Sequence, residues 1–132
     1  MRGSDSFVGI DLTAGTRPTA IAALPADLRS ERIELLSTDA ELVAFVEESG
    51  ASVVAIDAPL GLPHGQCCLE AICDCQPRGP GAGRACEREL SRLGIGCYYT
   101  TKRSIIKAMV YRGIGLQERL RMQGCTVLEV YP

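Results

Sequence analysis

Residues 53–57 read Val-Val-Ala-Ile-Asp and repeat the pattern of residues 7–11, which read Phe-Val-Gly-Ile-Asp. Each stretch runs through small or apolar residues and ends on an acid. The run over 52–57 is apolar almost throughout, which is typical of a strand buried on both faces of a parallel sheet. Two such strands side by side would bring Asp11 and Asp57 to the same edge of the sheet, where open α/β sheets bind their ligands.

Further short elements surround these two strands. Hydrophobic patterning predicts five strands, over residues 7–12, 19–24, 32–36, 52–57 and 125–130. It predicts three helices, over residues 38–50, 84–93 and 104–122, the last interrupted by Gly113 and Gly115. Thr38 and Glu41 have the spacing of a capping box, and Gly50 is a natural helix end.

The order of these elements predicts an α/β fold. Because crossover connections are right-handed, the strands form a five-stranded mixed sheet in the order 3-2-1-4-5, with helices on its faces. A loop rich in Pro, Gly and Cys, over residues 58–83, follows the fourth strand. Loops of this length are usually functional or are held in place by something else.

Length and composition limit the classes of protein to which this chain can belong. The chain has 132 residues, of which 46% are hydrophobic and 23% charged; these values predict one folded domain over residues 1–132 and exclude intrinsic disorder. The net charge of −2 excludes a strongly basic protein that grips nucleic acid by bulk electrostatics alone. No apolar run approaches roughly 20 residues, so we expect no membrane contact and a cytoplasmic location.

Three acids end apolar strand-like runs: Asp11, Asp57 and Glu129. Carboxylates that converge at one sheet edge repel one another and raise each other's pKa. Mg²⁺ or Mn²⁺ bound at Asp11 and Asp57 would remove this repulsion, because both ions prefer carboxylate and water ligands. Such ions are the usual apparatus of in-line phosphodiester hydrolysis. The alternative is that each acid is simply a polar residue that faces a loop.

Several segments together resemble domain-of-unknown-function family 429, whose members are described as predicted nucleases with a ribonuclease H-like fold. They are GIDLTAGTRP (9–18), AIDAPLGLP (55–63), CCLEAICDC (67–75), RACERELSRLGIG (84–96) and LEVYP (128–132). The most specific of them is IDAPLGLP, in which an apolar strand, an acid and a Pro-Gly-Pro turn come together.

The resemblance implies a ribonuclease H-like core and metal-dependent cleavage of nucleic acid. It matches Asp11, Asp57 and Glu129 to the acids of the first, fourth and fifth strands. It also matches Arg84 and Glu87 to an Arg-x-x-acid element on the helix after the loop. Members of the family continue past the last strand, so we expect this chain to lack their C-terminal helices.

Five cysteines lie close together in the sequence: Cys67, Cys68, Cys73, Cys75 and Cys86. Thiolates at short spacings can form a tetrahedral Zn²⁺ site, and a bound metal would explain how so long a loop is held. Disulfide pairing within the loop and free thiols are the alternatives. We expect Cys97 and Cys125 to pack as small apolar residues.

The segment 98–104 combines aromatic, hydroxyl and cationic side chains. Four of its residues could stack a base and hold phosphate, particularly if Ser104 begins a helix: Tyr99, Thr101, Lys102 and Arg103. A connection with solvated cations is the alternative. His64 could act as a general base, or it could be a solvated loop residue.

Two rival functions share these features. An actin-like or sugar-kinase-like ATP-binding module also begins with a Gly-Ile-Asp strand, followed by a turn that cradles phosphate, and residues 12–16 could form such a turn. A non-catalytic binding domain could use the same fold. An exposed strand at the edge of the sheet also invites pairing between two copies, so a homodimer is a further expectation.

Overall fold

The computed structural model describes residues 6–29 and 31–131, and within them five strands and three helices follow in the predicted order. They are β1 (Ser6–Asp11), β2 (Thr19–Pro25), β3 (Arg32–Leu36), α1 (Asp39–Ser49), β4 (Ala51–Ile56), α2 (Ala85–Arg92), α3 (Lys107–Met122) and β5 (Thr126–Glu129). Residues 57–84 contain no helix or strand, as expected for the long loop. None of the described helices has the length and apolar character needed to span a bilayer.

The strands form one mixed sheet in the order β3-β2-β1-β4-β5, which confirms the predicted order. β1 is antiparallel to β2 and parallel to β4, and β5 is parallel to β4. The register places Ile10 opposite Ile56, and Ile56 opposite Glu129. The carboxyl ends of β1, β4 and β5 therefore meet at one edge of the sheet.

The core lies against one face of the sheet. Alternate residues of β1 and β4 are buried on this face: Val8, Ile10, Val54 and Ile56. The helices add apolar side chains to the same cluster: Leu42, Phe45 and Val46 from α1, and Leu116 and Leu120 from α3. Each fully buried side chain of this size contributes about 1.5–3 kcal/mol, so this cluster holds α1, α3 and the sheet together.

The other face of the sheet is more open than the sequence predicts. Phe7 and Leu128 are 42% and 48% exposed, and Val53 and Ala55 of β4 are only half-buried. The prediction that β4 is buried on both faces is therefore wrong, because α1 and α3 both join the core on the opposite side. Pairing between two copies of the chain stays a prediction.

α1 begins and ends at the predicted signals. The Oγ1 of Thr38 accepts a hydrogen bond from the Glu41 N–H at 3.2 Å, and Oε2 of Glu41 accepts one from the Thr38 N–H at 2.8 Å. Gly50 ends the helix with a φ of 65°, a left-handed conformation that favours glycine. These caps fix the point at which the chain turns into β4.

α3 departs from the prediction in two ways. It runs without interruption through Gly113 and Gly115, and it begins at Lys107 rather than at Ser104. Gly113 is buried, and a Cβ at this position would lie 3.0 Å from the carbonyl oxygen of Pro59. The glycine therefore marks a close approach of α3 to the loop after β4, and it does not break the helix.

Alanine at the two glycines of α3 is expected to have opposite effects. No described atom lies within 4 Å of a Cβ added at Gly115, so Gly115→Ala should raise the free energy of unfolding by about 0.5–1 kcal/mol. Gly113→Ala should lower it by about 1–2 kcal/mol, because the new methyl group meets the Pro59 carbonyl. Chemical denaturation of the matched pair measures both effects. Equal stabilisation by the two substitutions would contradict the packing described.

Candidate functional site

Asp11 and Asp57 lie side by side at the carboxyl edge of the sheet. Asp11 ends β1, and Asp57 directly follows β4. The N–H of Asp57 donates to the carbonyl oxygen of Ile10 at 2.9 Å, which extends the parallel pairing of the two strands to the acids. Asp11 is exposed and Asp57 is half-buried. The structure thus brings together the two acids whose positions match in the sequence.

The environment of Asp57 disfavours its charged form. Burial raises the pKa of the Asp57 carboxyl above its usual value, and the neighbouring charge of Asp11 raises it further. A cation between the two carboxylates would oppose both effects, since it replaces lost water contacts and neutralises the repulsion. Hard divalent ions prefer oxygen ligands of this kind.

Glu129 lies at the same edge but belongs to a different cluster. In the sheet register it pairs with Ile56, one residue before Asp57, so the alternation of side chains along a strand directs it to the opposite face. Its carboxylate accepts hydrogen bonds from Nη1 and Nη2 of Arg84 at 2.8 and 2.6 Å, and from the Leu60 N–H at 2.9 Å. The three carboxylates expected at this edge are thus a pair and a separate acid bound to an arginine.

Arg84 joins Glu129 to a buried acid on α2. Its Nε donates to Oε2 of Glu87 at 2.8 Å, and Glu87 is only 2% exposed. Burial alone would raise the pKa of Glu87, but hydrogen bonds from Arg84 and Thr100 outweigh burial and lower the pKa below its usual value. Arg84 therefore links α2 to the end of β5 through two charged partners.

Thr100 completes this cluster, although no sequence pattern singles it out. Its N–H and its hydroxyl donate to the two carboxylate oxygens of Glu87, at 2.7 and 2.6 Å. The residue is fully buried within a connection that has no helix or strand. A buried threonine in an irregular segment has no periodic signal, so only its partner 13 residues earlier identifies its role.

A cleft of about 750 Å³ opens at the carboxyl edge. Its wall contains all five residues predicted as catalytic: Asp11, Asp57, Arg84, Glu87 and Glu129. Apolar side chains line the rest of it, among them Leu12, Leu90, Ile106 and Met109. Glu89 adds a fifth carboxylate, and Arg84 is the one cation among the described lining residues. The cleft is therefore acidic, and its charge favours binding of a cation over binding of an anion.

Three of the four predicted substrate-binding residues lie elsewhere. A second cleft, of about 500 Å³, is lined by Thr101, Lys102 and Arg103. Its other walls come mainly from the loop between β4 and α2. The Nζ of Lys102 donates to the carbonyl oxygen of Cys73 in that loop. These three residues thus form a surface that is separate from the acids and adjoins the cysteine-rich segment.

The two adjacent tyrosines have different surroundings. Tyr98 lines the acidic cleft and is 62% exposed. Tyr99, the residue predicted to bind substrate, packs against Gly83, where an added Cβ would lie 3.2 Å from the Tyr99 Cβ. His64 is exposed and lines neither cleft. Tyr98 and Tyr131 are therefore the aromatic residues that line the acidic cleft within the described part of the chain.

Four of the five clustered cysteines come together in space: Cys67, Cys68, Cys73 and Cys75. Their Sγ atoms all lie within 4.8 Å of one another, so the group could hold a metal ion such as Zn²⁺. Cys86, the fifth predicted ligand, lines the acidic cleft instead. Cys125 packs against the core as expected, whereas the half-buried Cys97 lines the cleft near Glu87.

The turn between β1 and β2 is tied to its own neighbours. The hydroxyl of Thr13 donates to the Arg17 carbonyl at 2.8 Å and lies 3.1 Å from the hydroxyl of Thr19. Arg112 of α3 donates from Nη1 to the Thr13 carbonyl at 2.8 Å. One of the two threonine hydroxyls in the turn that the ATP-binding alternative would offer to phosphate is thus engaged within the protein. That alternative stays a prediction.

Comparison with known proteins gives one family match. A family model described as "Protein of unknown function (DUF429)" matches residues 9–132, which is almost the whole chain. The match confirms the family that the sequence resembles, and its range includes the acids and cysteines described above. No curated protein and no solved structure shows significant similarity to the chain.

Removal of Arg84 is expected to destabilise the protein far more than removal of Arg92. Both arginines form ion pairs along α2, but the Arg84–Glu87 pair is buried and the Arg92–Glu89 pair is exposed. Arg84→Met leaves Glu87 buried without its charged partner and should cost about 3–5 kcal/mol. Arg92→Met should change the free energy of unfolding by less than about 0.5 kcal/mol. Urea denaturation measures the free energy of unfolding of both variants. Equal losses would show that the buried ion pair stabilises the protein no more than the exposed one.

Asp57→Asn is expected to stabilise the folded protein near neutral pH. Folding raises the pKa of Asp57, so the folded state favours the protonated carboxyl. This contribution to stability is complete below the unfolded pKa of about 4, and it is lost as the pH rises through the folded pKa. The variant should therefore have the higher Tm at about pH 7, and its advantage should vanish below about pH 4.

Thermal unfolding without added divalent metal measures this difference. Glu118→Gln removes an exposed carboxylate of α3 outside the cleft and is the matched control. A variant that is less stable than the wild type at neutral pH would contradict the environment described for Asp57.

Proposed function

We propose that this chain, which belongs to the DUF429 family of proteins of unknown function, is a nuclease that hydrolyses phosphodiester bonds with Mg²⁺ or Mn²⁺. The pairing of Asp11 and Asp57 at the ends of two parallel strands, in an open cleft, carries this proposal. Open α/β sheets bind their ligands at this edge. The strand order and the positions of the two acids also support a ribonuclease H-like core, as the family resemblance implies.

The donors at this edge suit a hard divalent cation. Mg²⁺ usually keeps several waters and binds a protein through one or two carboxylates together with substrate phosphates. Asp11 and Asp57 supply those two carboxylates. When bound, the ion supplies Lewis-acid polarisation of the phosphate and lowers the pKa of a bound water. Five carboxylates and one guanidinium otherwise line the cleft, so its charge would repel a phosphate without such a cation.

Arg84, Glu87 and Glu129 have positioning roles in this proposal. Glu87 and Glu129 accept hydrogen bonds from Nε, Nη1 and Nη2 of Arg84, which fixes the guanidinium beside the acids. Hydrolysis forms a bond between a water oxygen and phosphorus and breaks the bond between phosphorus and the ester oxygen, which leaves as a hydroxyl. Because all three guanidinium nitrogens of Arg84 are engaged by carboxylates, Arg84 fixes the end of β5 relative to the start of α2, and the proposed cation would balance the phosphate charge.

Nucleic acid is the proposed substrate because an exposed aromatic residue lines the acidic cleft and two cations line the second cleft. Tyr98 stands exposed at the cleft, where its ring can stack on a base. Lys102 and Arg103 line the second cleft, where they can hold phosphates further along the strand. The net charge of −2 means that affinity must come from such local groups.

The purified protein is expected to cleave labelled nucleic acid only when Mg²⁺ or Mn²⁺ is present. Asp11→Asn and Asp57→Asn should each lower the rate at least about 100-fold, since even residues that merely orient a metal ligand are worth about 10–100-fold. Glu118→Gln should cleave at the wild-type rate. Gel electrophoresis of single-stranded, double-stranded and branched DNA and RNA measures the products.

The same preparations distinguish the rival functions. Absence of cleavage of every substrate with either metal contradicts the proposal. Nucleic-acid binding without cleavage, measured by fluorescence anisotropy, would favour a non-catalytic binding domain. A rise in Tm with ATP, and none with nucleic acid, would favour an ATP-binding module.

A further inference from the structure

We propose that four cysteines of the loop between β4 and α2 form a closed tetrahedral Zn²⁺ site that fastens this loop to α3. The ligands are Cys67, Cys68, Cys73 and Cys75. The site is separate from the carboxylate pair, since none of the four cysteines lines the acidic cleft. The inference therefore stands whether or not the chain is a nuclease.

The positions of the sulfur atoms fit a single zinc ion. A Zn–S bond is about 2.3 Å long, so two sulfurs of a tetrahedral site are about 3.8 Å apart. The Sγ atoms of Cys67 and Cys73 are 3.6 Å apart, and those of Cys68 and Cys75 are 3.8 Å apart. All four lie within 4.8 Å of one another. Two edges of the required tetrahedron, which share no sulfur, thus have the expected length.

The local backbone explains why four cysteines within nine residues can face one point. The N–H of Cys73 donates to the carbonyl oxygen of Glu70 at 3.2 Å, which forms a turn between the two cysteine pairs. The turn brings the two pairs together, and Cys67 lies near Cys73 while Cys68 lies near Cys75. Four thiolates fill all four positions of a tetrahedral zinc, and such closed sites are structural rather than catalytic.

The loop contacts α3 directly beside the cysteines. Leu69 is fully buried, and its N–H donates to the hydroxyl of Tyr111 at 2.7 Å. The same hydroxyl donates to Oε2 of Glu70 at 2.7 Å, and Lys107 lies 3.3 Å from that carboxylate. These contacts hold only the segment between the two cysteine pairs. A metal that binds both pairs would therefore fasten residues 67–75 as a whole to the same place.

The loop needs such a fastener because regular structure does not hold it. Residues 57–84 form no helix or strand, and the cysteines themselves are exposed or only half-buried. Within residues 67–75 only Leu69 is buried, so burial of apolar surface contributes little beyond this side chain, whereas binding of a structural zinc is itself a source of folding free energy. The carbonyl oxygen of Cys73 also accepts from Lys102, so the zinc would order one wall of the second cleft.

Elemental analysis of protein purified without chelator tests the ligand set. We expect about one zinc ion per chain in the wild type and close to none in Cys68→Ser and Cys75→Ser. Cys86→Ser is the matched control, because Cys86 is an exposed cysteine near in sequence but outside the group of four; it should retain the zinc. Absence of zinc in the wild type, iron in place of zinc, or equal loss in Cys86→Ser would overturn the assignment.

Limited proteolysis of the wild-type protein tests the fastening without any variant. Arg78 is exposed in the same loop, and its N–H donates to the carbonyl of His64 across the base of the cysteine segment. Removal of zinc by a chelator should speed tryptic cleavage after Arg78 at least about 10-fold, since the segment then opens locally. Addition of zinc should restore resistance. Cleavage at the same rate with and without zinc would show that the ion does not hold the loop.

Discussion

The parallel pairing of β1 with β4 is the constraint on which the rest of the structure depends. Ile10 and Ile56 lie opposite each other, and both are buried on the face that packs against α1 and α3. A slip of one residue would turn these side chains toward the open face, so the core fixes the register. The same register sets Asp11 beside Asp57. The free energy gained by packing the core thus offsets the electrostatic repulsion between the two neighbouring carboxylates.

Features with local signals could be predicted from the sequence. The capping box of Thr38 and Glu41, the glycine that ends α1, and the apolar runs that end on acids each occupy only a few residues. The strand order then follows from the handedness of crossovers, which does not depend on the particular side chains. The pairing of Asp11 with Asp57 could be predicted for this reason, because it needs only a strand pattern and a parallel neighbour.

Features that depend on distant partners could not be predicted in the same way. The bidentate contact between Arg84 and Glu129 joins residues 45 positions apart and follows from the register of β5. Gly113 resembles a helix break in the sequence, but in the structure it allows contact with Pro59. The spacing of the cysteines could not exclude Cys86, because the ten residues after Cys75 are free, in principle, to return it to the group. The structure instead directs Cys86 to the acidic cleft.

The acidic cleft and the cysteine group together suggest a division of roles within the chain. Regular structure holds Asp11 and Asp57, whereas the proposed zinc holds the loop that carries the wall of the second cleft. The claim that matters most is that Asp11 and Asp57 bind a divalent cation. Paramagnetic broadening of backbone amide NMR signals by Mn²⁺ tests it most directly. The account predicts broadening centred on the amides of Leu12 and Ala58 that is lost in Asp57→Asn, whereas broadening centred elsewhere, or unchanged in that variant, would contradict it.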